Sequence, residues 1–436
     1  MTIGIRTRAL LVLAAVGGGT AVLCRPAQAL PAFSRRTGMQ CTACHDSWPR
    51  LNDFGELYRD RGYRLGNLDD DAGVPLQYFP ISFRVTVGYS YTAMTNQPSD
   101  TGPRDVNTGA FVTPAADIYF AAALSNHLSA YVDIAGFSAD GTAKLESSWV
   151  RINDIGNSHW LNLKLGVLEL DLPLSMHRAF TIFSPFLIYD YHPAGSINPF
   201  ILDENQRGIE ISGHENGPGL RYALALTTSG DLAGASPLST PTLYGHVTYT
   251  RLTWSPIVPR VRVGAMGNIG WVPTNFAPFT PPGGAPAPIS GTGTDSRSHG
   301  HVGGDLQLVF LSLAQPITLT GVWMYGQENA ALVQGGTRNA HFHGGFVQLD
   351  YIPIFPLVVG VRYDGVYNTQ QADPTAPSDA NQQVAFTLYF RYALWLSAWG
   401  SGAVHLEAST LDTQGVGADG GAVRSNSVFA GVDLML

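Results

Sequence analysis

Two thiols and an imidazole fall within five consecutive residues, Cys41-Thr42-Ala43-Cys44-His45. In a C-x-x-C-H run both sulfurs bond a porphyrin covalently and the histidine supplies the proximal iron ligand. A thiol pair in an exported chain also suits a disulfide. That reading leaves His45 without a role, and no second ligand pair follows to complete a zinc site. The expectation is one haem c, attached at Cys41 and Cys44, with His45 as the metal ligand.

The third cysteine, Cys24, lies in a predicted signal peptide, residues 1–29. Arg6 and Arg8 precede an apolar run from Ala9 to Cys24, and Ala27-Gln28-Ala29 is a small-x-small cleavage pattern. Bulky Leu23 argues against a lipid anchor at Cys24. Three of the 25 basic residues, Arg6, Arg8 and Arg25, leave with the leader, so 22 face 33 acidic ones, a formal charge of −11. That excess disfavours nucleic acid as a partner.

The attachment run needs a small element to hold it. Residues 30–73 form a predicted haem segment ending near Asp69-Asp70-Asp71, and within it Leu51, Phe54, Leu57 and Tyr58 have the spacing of an amphipathic helix start suited to covering a haem face. A core this small is marginal alone, so the segment is expected to lean on its haem and on the rest of the chain.

The rest, 77–436, reads as strands. Phe83, Val85, Val87, Tyr89 and Tyr91 alternate with Arg84, Thr86, Gly88 and Ser90; Val384, Phe386, Leu388, Phe390 and Tyr392 alternate with Ala385, Thr387, Tyr389 and Arg391. Leu357, Val359, Val361 and Tyr363 repeat the period of two. Beyond the leader no apolar run reaches the roughly 18 to 20 residues of a membrane helix. Charged residues are 13%, aromatics 11%, glycines 49, and the only lysines are Lys144 and Lys164.

The fold class expected is therefore all-β: an antiparallel outer-membrane β-barrel of about 16 strands, centred near residues 85, 120, 132, 149, 165, 211, 224, 248, 266, 306, 322, 346, 361, 387, 402 and 430. The small helical haem c segment plugs its lumen. Long joins, among them 95–114, 174–206, 273–298 and 369–380, alternate with short ones such as Ser125-Asn126-His127 and Ser255 to Pro259, with a short exception near Asp140-Gly141. This is the outer-loop and periplasmic-turn pattern of such barrels, and an even strand count puts both chain ends in the periplasm. Val428, Ala430, Val432, Leu434 and Leu436 mark the expected closing strand. A soluble β-sandwich also alternates, but it does not sort its turns into two length classes.

Several residues could face the iron opposite His45. Met39 is tethered two residues before Cys41; alternation points His246, Met266, His299, His301, Met324 and His405 inward; and 174–206 adds Met176, His177 and His192 if it enters the lumen. An open or water-bound position is equally compatible. Inward Arg84, Arg151, Arg221, Arg262, Arg362 and Arg391 and inward Asp305, Asp350, Asp364 and Asp433 suit either a charged lining that grips the haem segment and its propionates or the transverse field of a water channel. The outer-loop carboxylates Asp100, Asp105, Asp190, Asp203, Glu204, Asp373 and Asp379 are scattered and define no iron site.

The run Phe33-Ser34-Arg35-Arg36-Thr37-Gly38-Met39-Gln40-Cys41, with Cys44-His45, Pro49, Leu51, Phe54-Gly55, Tyr58 and Gly62-Tyr63, resembles the amino-terminal signature of the fused monohaem cytochrome-porins. These are outer-membrane c-type cytochromes of iron-oxidising bacteria. Ser34 and Arg36 depart from the alanine and glutamine associated with those positions, and Trp48 and Tyr58 stand where phenylalanine is common. The resemblance implies oxidation of extracellular Fe(II) at a single haem, with electrons passed to a periplasmic cytochrome or other soluble acceptor, in a protein whose membrane partner is outer-membrane lipid. Another extracellular donor, or a haem-bearing porin that moves or gates solutes, remains the alternative.

Overall fold

A computed structural model describes residues 31–65, 80–99, 102–136, 144–228, 241–273, 296–312, 315–354, 356–397, 400–417 and 420–436. The signal peptide, the Asp69–Asp71 run, Asp100, Asp140-Gly141 and most of 273–298 lie outside the described residues.

The amino-terminal segment contains α1 (Pro31–Thr37), α2 (Cys41–Cys44), a hairpin of β1 (His45–Ser47) and β2 (Arg50–Leu51), and α3 (Asp53–Asp60). Asn52 organises it. Its side chain accepts from the Gly55 amide at 2.9 Å, capping α3, and donates to the Thr42 and Ala43 carbonyls at 3.3 and 3.1 Å. Its own amide donates to the Cys44 carbonyl at 2.9 Å. Gly55 lets α3 lie against α2, because a Cβ there would collide with the Cys44 carbonyl oxygen.

Sixteen strands follow: β3 (Ile81–Gln97), β4 (Arg104–Ser125), β5 (Leu128–Ala135), β6 (Lys144–Ile152), β7 (Asn162–Leu168), β8 (Gln206–His214), β9 (Leu220–Thr228), β10 (Pro241–Leu252), β11 (Arg260–Pro273), β12 (Ser296–Ser312), β13 (Gln315–Glu328), β14 (Ala340–Ile354), β15 (Leu357–Gln370), β16 (Gln383–Ser397), β17 (Gly400–Thr413) and β18 (Val423–Met435). Each pairs antiparallel with its neighbours in sequence, and β18 closes the barrel on β3, with Val432 opposite Val87. Outward Phe83, Val85, Val87, Phe386 and Leu388 are exposed, as a lipid-facing band requires, while Thr86, Thr387, Arg362 and Asp364 are buried inside. Among the described residues no helix is long and apolar enough to cross a membrane.

Two expectations about loops are corrected. The join placed at 95–114 is mostly ladder, since β3 runs to Gln97 and β4 starts at Arg104. Apolar alternation reports lipid contact, and residues 104–115 are exposed or half-exposed on both faces, so pairing continues where the pattern does not. The turn between β6 and β7, short in expectation, spans 153–161 and holds a 3₁₀ turn at Ile155–Asn157.

The larger correction concerns the lumen, where the amino-terminal segment is not the only filler. Residues 169–205, between β7 and β8, fold inward as a second plug. Leu168, Leu170, Leu172, Leu174, Phe186, Ile188, Phe200 and Leu202 form one buried cluster with the wall residues Tyr244, Met266, Met324, Phe342 and Phe346. Arg362 holds this plug by donating to the Ser184 and Pro185 carbonyls, both at 2.6 Å, and its guanidinium lies 4.2 Å over the Phe186 ring. Glu407 accepts from the Ile182 amide at 2.7 Å, and Glu328 accepts from Ser196 and Asn198 at 2.5 and 3.0 Å.

Candidate functional site

The amino-terminal segment is clamped by charge. Arg262 meets Glu56 at 3.0 Å, Arg260 meets Asp53 at 2.6 Å, Arg221 meets Asp60 at 3.0 Å, and Arg50 of the segment reaches Asp350 on the wall at 2.8 Å. Arg151 donates to the Arg59 carbonyl at 3.2 Å, and Arg35 donates to the Ile81 carbonyl at 2.7 Å. Trp48 packs against two guanidiniums, Arg84 at 4.8 Å and Arg391 at 4.6 Å, which share Asp433. Gly62 (φ 67°) docks against Asn153, where any Cβ would strike the amide. Burial alone would push the Glu56 and Asp60 carboxyls up. The surrounding arginines outweigh it, Arg262, Arg260 and Arg221 for Glu56 and Arg221 and Arg59 for Asp60, and hold both below the usual carboxylate range.

Between this segment, the wall and the loop plug lies a cavity of about 270 Å³, partly open to solvent. Cys44 and His45 line it with Phe33, Trp48, Tyr58 and Tyr63 from the segment; Tyr131, Trp149, Lys164, Arg151, His214 and Arg221 line it from the wall; Glu169, Asp171, His177 and Arg178 line it from the plug. Tyr63 stacks on Trp149 at 6.1 Å and 22°, and Trp149 on Tyr131 at 5.6 Å and 20°, giving flat apolar faces. Cys41 opens α2, and its side chain lies outside the described residues. The Cys44 thiol is buried and pushed up to about 11 by that burial.

His45 is 8% exposed, and burial lowers it to about 4, so its ring is neutral at pH 7. Its Nδ1 lies 3.2 Å from the Arg50 carbonyl oxygen. A carbonyl only accepts, so Nδ1 carries the proton and Nε2 the lone pair, the arrangement that second-sphere partners give a metal-ligating histidine. The residues fit a haem: a thiol and an oriented imidazole on one cavity, flat aromatic walls, and a buried Arg151 Nε without a partner among the described residues, which suits a propionate.

Of the expected opposite ligands only His177 reaches the cavity. His246 has both nitrogens taken, by Asp171 and Asp305, each at 3.0 Å. Met266 and Met324 belong to the apolar cluster of the loop plug, His192 pairs with Glu328, and His405 with Glu407. His301 bonds Asn268 at 2.9 Å and His299 packs on Phe200. Met39 is not among the lining residues. His214 was missed, although outward Ile209 and Ile211 place position 214 inward by the same alternation.

A carboxylate group also escaped the sequence reading, which searched the outer loops. Asp117, Asp133 and Glu146, on β4, β5 and β6, bring ligand oxygens within 4.8 Å of one another, and Asp133 lines the same cavity. Three hard oxygens can hold a divalent cation.

No protein-family model matches the chain, and neither does any curated protein. Solved structures do. An anion-selective porin from Comamonas acidovorans superposes with a TM-score of 0.52 at 12% identity, covering 82% of this chain and 98% of its own. The outer membrane channel DcaP of Acinetobacter baumannii gives 0.50 at 11% identity, covering 84% and 100%. The fold is that of an outer-membrane porin. At these identities the likeness establishes the architecture, and what the cavity does must come from its own residues.

Proposed function

We propose that this barrel is an outer-membrane electron-transfer protein, a monohaem cytochrome fused to a porin-type barrel, which oxidises extracellular Fe(II) and passes electrons to a periplasmic carrier. The observation that carries the reading is the cavity that the C-x-x-C-H run opens on, with His45 neutral and oriented by the Arg50 carbonyl. When bound, haem c supplies a one-electron redox centre. Cys41 and Cys44 would attach it and His45 would hold the iron, while Tyr63, Trp149 and Tyr131 exclude water from its faces. Arg151, whose Nε has no partner among the described residues, would meet one of its propionates. The resemblance of 33–63 to the cytochrome-porin signature supports Fe(II) as donor, and the Asp117–Asp133–Glu146 oxygens would draw a cationic substrate to the cavity.

A second reading, a haem-bearing porin that passes or gates solutes, is favoured by the likeness to an anion-selective porin and a channel. The two readings part on what moves. Anaerobic mixing of oxidised holoprotein with Fe(II), followed by haem absorbance, should give reduction, and the same protein in a planar bilayer should pass little current. Large steady conductance without haem reduction would favour the porin.

A further inference from the structure

His214 occupies the last inward position of β8, next to the turn at 215–219, and lines the cavity that His45 lines. Its ring is prepared in the same way. Nδ1 lies 2.9 Å from the Glu215 carbonyl oxygen, so Nδ1 carries the proton and Nε2 the lone pair. His214 is 4% exposed, and Nε2 is buried without a hydrogen-bond partner among the described residues. A buried acceptor left unmatched calls for a partner, and what lies on offer beside it is the cavity. The ring is further held by the His159 ring at 5.9 Å and 28°, and by a backbone that cannot shift freely, since a Cβ at Gly213 would collide with Tyr222 and the Trp160 carbonyl.

His177 lines the same cavity but is exposed, and no bond orients its ring among the described hydrogen bonds. A ligand needs both a reachable lone pair and a second-sphere anchor. His214 has both.

We infer that His214 is the second axial ligand of the haem iron, so that ligation is bis-histidine with His45; the inference rests on the haem reading above. Ligation by both histidines would leave no position for a donor to bind the iron directly, so electrons would enter by outer-sphere transfer through the cavity wall.

The test is spectroscopic and uses oxidised, full-length holoprotein. Ultraviolet-visible and low-temperature electron paramagnetic resonance spectra of the wild type should be low-spin. His214→Ala should keep covalent haem on a denaturing gel, lose the low-spin signal, and regain it when imidazole is added; His177→Ala should stay low-spin. Should His214→Ala fail to accumulate, His214→Met should give a histidine–methionine spectrum with a raised potential. An unchanged low-spin spectrum in either His214 variant, a high-spin wild type, or loss of the low-spin signal in His177→Ala would overturn the assignment. A wild type without gel-stable haem would instead strike the haem reading itself, taking the ligand with it.

Discussion

The lumen is filled twice, by opposite kinds of chemistry. Residues 169–205 are packed as a hydrophobic core, with Leu170, Phe186, Ile188, Phe200 and Leu202 at 1% exposure or less against apolar wall residues. Residues 31–65 are held mainly by ion pairs at the rim, through Asp53, Glu56, Asp60 and Arg50, around a large cavity. A segment that seals needs only volume, and apolar packing supplies it at native density. A segment that is to hold a cofactor, as we propose for 31–65, must leave a shaped space and still be fixed in place, and charge pairs at its edges do that without filling its centre. Asp171 joins the two plugs, since it shares Arg221 with Asp60 and also meets His246.

The contrast can be broken first at the thiols. If the proposed haem fills the segment's cavity, Cys41→Ala with Cys44→Ala should abolish covalent haem and leave 31–65 open to protease, because a segment this small has little core of its own; the loop plug should resist cleavage as before. Gel haem staining and limited proteolysis read the two halves.

The next largest effect belongs to the loop plug. Replacing 176–200 with a short Gly-Ser linker should raise bilayer conductance by roughly an order of magnitude, since a 16-stranded barrel leaves a water channel when nothing fills it. Haem staining should persist. Unchanged conductance would assign the seal to the amino-terminal segment instead.

Arg260→Ala with Arg262→Ala removes the partners of Asp53 and Glu56. The cost to segment docking should be about 2 kcal/mol, below that of breaking a fully buried pair because both acids are partly exposed. Faster proteolysis within 31–65, with the rate within 169–205 unchanged, would show it.

Acid should separate the plugs more gently. Glu56 and Asp60 have carboxyls held below their ordinary range in the folded state, so the stability they contribute is complete above their unfolded values near pH 4 and drains as pH falls below them. Pepsin at about pH 3 should therefore cut within 53–60 before it cuts the apolar stretch 184–202. The reverse order would show that the ion pairs do not hold the segment.

The barrel was legible because lipid contact writes a period of two, as in Val384 to Tyr392, and all sixteen strand centres follow from it. At 92–97 and 104–115 the pairing of β3 with β4 continues although the apolar period fades. The loop plug was signalled, and the sequence left its entry into the lumen open. Leu168, Leu170, Leu172 and Leu174 followed by Phe180, Phe183, Phe186, Tyr189 and Tyr191 are too apolar for a solvated loop, but its length alone suggested an outer one. The Cys41–His45 run was visible from spacing, because its residues are adjacent in the chain. On the opposite side of the cavity His177 was among the candidates, while His214 escaped because β8 meets the amino-terminal segment only when the barrel closes, and Asp117, Asp133 and Glu146 escaped because they meet across strand pairs rather than along the chain.

The central claim, a haem fixed at the attachment run inside the lumen, is tested most directly by mass spectrometry of the tryptic peptide 37–50 from protein purified out of outer membranes. The account predicts that this peptide carries the added mass of one haem on Cys41 and Cys44. A peptide with two free thiols, or with a Cys41–Cys44 disulfide and no haem, would contradict it.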